Sequence, residues 1–91
     1  MDFSWSEEKN AVLKARHGFG FERVIIALAE GDLIAERRHP NVTRYPDQSQ
    51  YIVRIDDYLW LVPFVRSADS VFLKTMYPSR KATKQFQEQD L

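Results

Sequence analysis

The sequence predicts a single α+β domain spanning residues 1–91, with two N-terminal helices, a four-stranded mainly antiparallel sheet and a short C-terminal helix. A chain of 91 residues has room for one small core, because domains of this size bury only about 60 to 65% of their unfolded surface. Apolar residues make up 44% and charged residues 29%, the balance of an ordinary folded domain rather than a disordered chain. The apolar spacing changes from helical to alternating along the chain, and hairpin-linked strands that follow helices pair antiparallel under a helical layer.

Ser6 stands as an N-cap, Glu7 and Glu8 suit the positive end of a helix dipole, and Arg16 and His17 precede Gly18, so a helix is predicted over 7–17. After Gly18-Phe19-Gly20, the residues Phe21, Val24, Ile25 and Leu28 form one apolar stripe that ends at Gly31, a second helix. Leu33 to about Arg37 reads as a short strand, followed by a loop holding His39, Pro40, Asn41, Pro46 and Asp47. Tyr51, Val53 and Ile55 alternate with Gln50, Ile52 and Arg54, and an apolar run begins at Tyr58 after Asp56-Asp57, a hairpin without the usual Asn-Gly or Asp-Gly turn. Pro63 cannot donate to a ladder and predicts a bulge or a locally free edge in that run. Val71, Leu73, Thr75 and Tyr77 alternate with Phe72, Lys74 and Met76 as a fourth strand, and Pro78-Ser79 opens a helix to about Gln87 whose thin apolar face is Ala82 and Phe86. The stripe of the second helix is expected to pack against Val53, Trp60, Val62 and Leu73 or their neighbours, either face of the sheet being open to it.

Thirteen basic residues cancel thirteen acidic ones, so the total charge does not announce a nucleic-acid binder. Locally the balance breaks: Arg37, Arg38 and Arg44 sit with His39 and no acid, and Lys74, Arg80, Lys81 and Lys84 form a second basic stretch. The longest apolar run, Tyr58 to Val65, is far short of the roughly 20 residues of a membrane helix, and the N-terminus is amphipathic rather than signal-like. Without cysteine, and with two isolated histidines, neither a disulfide framework nor the usual zinc cluster is expected. These features predict a cytoplasmic protein with no cofactor and no metal.

Arg80, Lys81 and Lys84 stand in the opening turns of the last helix, where its dipole disfavours cations. Backbone N–H groups and these side chains could converge on a phosphate, with Lys74 extending the cationic floor; the alternative is that they splay into solvent. His17 at a helix C-terminus is either an acid–base group with a favoured imidazolium or a simple cap, and His39 is either a functional or an ordinary loop residue. Asp56 and Asp57 point different ways from a turn, which turn chemistry explains better than a carboxylate pair. Tyr51, Tyr58, Trp60 and Phe64 could stack bases but are mostly expected in the core. No phosphate-binding glycine loop, nucleophile elbow or metal motif is present.

Phe3-Ser4-Trp5-Ser6-Glu7-Glu8-Lys9-Asn10, then Arg16-His17-Gly18 with Phe21-Glu22, and finally Ser79-Arg80-Lys81-Ala82-Thr83-Lys84 together resemble the BrnT-like toxins of bacterial type II toxin–antitoxin pairs. The family pattern is F-x-W-D-x-x-K, K-H-G-x-x-F-E and A-R-K-A-T-K; this chain departs from it at Ser6 and Arg16, and Thr75 stands where many relatives carry an arginine. The resemblance implies a RelE-like fold and a metal-independent endoribonuclease that inhibits translation. It further implies neutralisation by a cognate antitoxin, which would also supply any contact with DNA. By match to the motif, His17 is the acid–base candidate, Arg80 and Lys81 are the candidate stabilisers of the transition state, and Lys84 positions the RNA backbone. Arg37, Arg38 and Lys74 join the RNA-binding set from charge placement alone. The other function class compatible with the same residues is a non-catalytic protein-binding or regulatory module that has lost nuclease activity.

Overall fold

A computed structural model describes residues 2–89. The elements in chain order are β1 (Asp2–Trp5), α1 (Glu7–His17), α2 (Phe21–Ala29), β2 (Leu33–Arg38), β3 (Gln48–Ile55), β4 (Tyr58–Ser67), β5 (Ser70–Leu73), β6 (Tyr77–Pro78) and α3 (Arg80–Gln89). The α+β class is as expected, but the sheet has six strands rather than four, in the order β1-β5-β4-β3-β2 with β6 also on β4. β1 was not foreseen: it pairs parallel with β5, Phe3 opposite Val71 and Trp5 opposite Leu73, while every other pairing is antiparallel. The expected fourth strand over 71–77 is split into β5 and β6, because the chain leaves the ladder at Lys74–Met76.

Local chemistry accounts for the helices. Ser6 Oγ accepts the Lys9 N–H at 3.2 Å, and Gly18 closes α1 in the left-handed region at φ 86°, the cap geometry that glycine alone adopts without cost. α2 begins at Gly20, which has no side chain to cap it. Asn10 of α1 does so instead, its Oδ1 accepting the Phe21 N–H at 2.8 Å. A Cβ at Gly20 would lie 2.0 Å from that oxygen, so glycine is required there for close approach.

The β3–β4 hairpin turns on Asp56 and Asp57 at φ 52° and 66°, with Ile55 paired to Tyr58. Positive φ at both central residues is the two-residue turn whose twist matches the strands, and aspartate is among the side chains that tolerate it. Pro63 sits in the middle of β4, and the expectation of a locally free edge is met. Its carbonyl accepts the Lys74 N–H at 2.8 Å, so its missing donor also faces the gap between β5 and β6, where no strand needs it.

The two sheet faces bury separate clusters. Leu13, Phe21, Val24 and Ala27 of α1 and α2 pack on Tyr51, Val53, Ile55, Trp60, Val62, Phe64, Val71 and Leu73, which includes every partner expected for the second helix. Each fully buried large side chain there stabilises the fold by roughly 1.5 to 3 kcal/mol. On the opposite face Ala82 and Phe86 of α3 pack on Ile52, Leu59 and Leu61, with Ile34 and Ala35 of β2. No helix among the described residues is long and apolar enough to cross a membrane.

Candidate nucleic-acid interface

α3 is tied to the sheet by its first turn. Ser79 N–H donates to the Leu59 carbonyl at 2.9 Å, and the Leu59 N–H donates to Thr83 Oγ1, also at 2.9 Å. Thr83 Oγ1 in turn donates to the Ser79 carbonyl at 2.7 Å, and Ser79 Oγ accepts the Ala82 N–H at 3.0 Å. A side chain thereby continues the β4 ladder after β6 ends, and Ser79 caps the helix it precedes. Two N–H groups of the opening turn, those of Ala82 and Thr83, are consumed by Ser79. The expectation that free backbone donors of this turn converge on an anion is corrected to that extent.

Ser79, Ala82 and Thr83 are thus accounted for by docking, and Arg80, Lys81 and Lys84 remain exposed. None of these cations, nor Arg37 or Lys74, forms an ion pair among the described residues. They do not form one cluster. Lys81 lines a groove of about 380 Å³ between α3 and β2, with Arg37 on the facing wall and Ile34, Ile52, Leu61 and Phe86 below. Arg80 and Lys84 line the other flank of α3, beside Asp57 and Tyr58 at the hairpin end of the sheet.

Strand alternation separates the neighbours Arg37 and Arg38. Arg37 is in register with Gln50 and Pro63 on the α3 face, and its Nε donates to Gln50 Oε1 at 3.1 Å, an acceptor only 2% exposed. Arg38 is in register with Ser49 and Phe64 on the α1/α2 face and reaches the Pro46 carbonyl at 3.4 Å. Lys74 follows β5 on the same side as Phe72, its Nζ 5.7 Å from the Phe72 ring centroid. Since Phe72 pairs with Val65, both belong to the α3 face. Arg37, Lys74 and Lys81 therefore share one side of the sheet, but only Arg37 and Lys81 line the same groove.

His17 is on the other side. It lies four residues after Leu13, so it falls on the stripe of α1 that packs on the sheet. Its ring stands edge-on to Trp60 at 5.0 Å, and its Nε2 is buried with no hydrogen-bond partner among the described residues. The imidazole ending α1 and the Lys81 ammonium of α3 are on opposite sides of the sheet, whereas Arg80 lies beside Tyr58, which shares the Trp60 side. Nor does His39 join either group: its Nδ1 accepts the Asn41 N–H at 3.0 Å and its ring lies on Tyr45 at 4.4 Å, inside the β2–β3 loop.

No family model, curated protein or solved structure matches the chain. Geometry then decides which of the singled-out residues are architectural. Gly18 ends α1, Phe21 is core, and the Glu22 carboxylate accepts both hydrogen bonds from Asn10 Nδ2, at 3.0 and 2.9 Å, besides its 3.2 Å ion pair with Lys14. Of the aromatics weighed for stacking, Tyr51, Trp60 and Phe64 are buried and Tyr58 is half-buried. The exposed rings are Phe72 and Tyr77, at 39% and 41%, and sequence reasoning passed over both as strand alternates. The signal was available at Phe72, which is out of phase with Val71 and Leu73.

Proposed function

We propose that this chain is a BrnT-like toxin of a type II toxin–antitoxin pair, a metal-independent endoribonuclease that grips RNA on the α3 face of its sheet. The observation that carries the reading is that Arg37 and Lys81 line one groove, with Lys74 on the same face of the sheet, all without carboxylate partners among the described residues. In such a reaction the 2′-OH of the RNA attacks the adjacent phosphorus, the bond to the 5′-oxygen breaks, and a 2′,3′-cyclic phosphate results. Arg37 and Lys81, on facing walls of the groove, neutralise the charge that develops on the phosphorane oxygens. The Lys81 ammonium is the proton donor to the departing 5′-oxygen, and the proton of the attacking 2′-OH passes to solvent water. Arg80 and Lys84 on the far flank hold the RNA backbone, and His17 packs α1 on Trp60 instead of exchanging protons. An antitoxin segment bearing carboxylates would silence the protein by occupying the same groove.

Incubation of the purified protein with total RNA tests this. Lys81→Ala and Arg37→Ala are expected to slow cleavage about 100-fold each, and His17→Ala to cleave normally once differences in folding are taken into account. Intact RNA at every protein concentration, together with normal growth of bacteria expressing the wild type, overturns the reading. A non-catalytic binding module is the second reading, and the packing of His17 on Trp60 with its Nε2 buried, on the side of the sheet opposite Lys81, favours it. It predicts that RNA or partner protein is retained on the same face and never cut.

A further inference from the structure

We infer that Phe72 and Tyr77 are base-stacking platforms that fit the α3 face to single-stranded RNA, an inference that rests on the RNA reading above. Phe72 and Tyr77 are the large aromatic side chains left exposed, at 39% and 41%, and both lie on one stretch of chain. Phe72 is paired with Val65 and Tyr77 with Leu61, so both rings are on the side of the sheet that carries α3. Along β4 the two pairing positions are four residues apart, about 13 Å in an extended strand. Between them the chain leaves the ladder, and there Lys74 holds its ammonium 5.7 Å from the Phe72 ring.

An exposed ring, a cation and a second exposed ring in sequence suit a chain that presents bases and phosphates by turns, because every base has a π-face and every linkage a negative charge. Lys81 and Arg37 add positive charge on the same face, in the groove between α3 and β2. A duplex keeps its bases stacked on one another and offers no face to these rings, so the surface selects single strands. An acidic peptide would satisfy the cations, but two partly exposed flat rings, at 39% and 41%, match the π-faces of bases better than its apolar side chains, which favours the nucleic acid.

The test is binding of a fluorescent 2′-O-methyl oligonucleotide, which cannot be cut, as a single strand and as the matching duplex. The single strand is expected to bind, with the duplex much weaker. Phe72→Ala and Tyr77→Ala are each expected to weaken the single strand roughly 10- to 100-fold. Phe72→Tyr and Tyr77→Phe are expected to restore affinity, with unchanged thermal unfolding throughout. Equal affinity for the duplex, or alanine variants that bind like the wild type, overturns the inference. So does capture of a Glu/Leu-rich peptide by a protein that ignores both oligonucleotides. Because the probe resists cleavage, a protein that stacks it but leaves total RNA intact loses the nuclease reading and keeps this one. A protein that cleaves RNA while both alanine variants bind normally does the reverse.

Discussion

Asn10 joins two helices through a single buried amide, its Oδ1 receiving the Phe21 N–H and its Nδ2 spanning both oxygens of Glu22. Removing it leaves a buried backbone donor unpaired, which costs about 1 to 3 kcal/mol. Asn10→Ala should lose that much in urea unfolding at neutral pH. The same amide, followed by the Glu22 backbone N–H and Lys14, holds the Glu22 carboxyl below its ordinary value of 4.5. A carboxyl with a lowered folded pKa contributes stability above its unfolded value and loses it as pH falls through the folded one. Wild-type stability should therefore decline on acidification below pH 4.5, and the decline should be shallower in Asn10→Ala because the main cause of the shift is gone. A separate residue, Ala68, holds φ 51° in the exposed β4–β5 turn, where its Cβ crowds the backbone. Ala68→Gly should gain about 1 kcal/mol, visible as a melting temperature several degrees higher.

The elements differ in what secures them, and α3 depends on a side chain. Thr83 Oγ1 is the acceptor for the buried Leu59 N–H, so Thr83→Val, which keeps the shape and removes the oxygen, should cost about 1 to 3 kcal/mol. Faster hydrogen exchange at the Leu59 amide, with the α2 amides unchanged, would locate the loss at this junction. What the sequence reveals of these elements follows the range over which each is determined. α1 and α2 are legible because Ser6, Gly18 and the apolar stripe act within a few residues, and the β3–β4 hairpin because its alternation is long. β1 and β6 are not legible: strands of 4 and 2 residues carry no period, and the partner of β1 lies at the far end of the chain. The site inherits this gap. Alternation alone could have sent Arg37 and Arg38 to opposite faces, and helical spacing could have put His17 on the packed side of α1. That α3 crosses to the other face depends on β6 and the Ser79–Thr83 junction, whose pairing with Leu59 no local pattern announces.

For the whole molecule, equal numbers of acids and bases conceal an uneven pairing. The ion pairs Lys14–Glu22, Arg23–Asp56 and Arg66–Glu36 involve none of the α3-face cations, while Lys9, Arg16 and Arg38 elsewhere are also unpaired among the described residues. Arg37, Lys74 and Lys81 on the α3 face have no such partners among the described residues, so a polyanion gains their attraction without first breaking an ion pair. Each phosphate that such a cation neutralises releases counterions, so affinity falls with salt by a slope of about 0.7 per contact for a single strand. Replacing Arg37, Lys74 and Lys81 by glutamine should therefore flatten the plot of log affinity against log salt by roughly 2. Replacing Lys9, Arg16 and Arg38, none of which lies on the α3 face, removes the same formal charge and should leave the slope unchanged. Titration of a non-cleavable single strand at several salt concentrations separates the cases. Equal flattening by both triple variants would mean that only net charge matters and that the two faces are electrostatically equivalent.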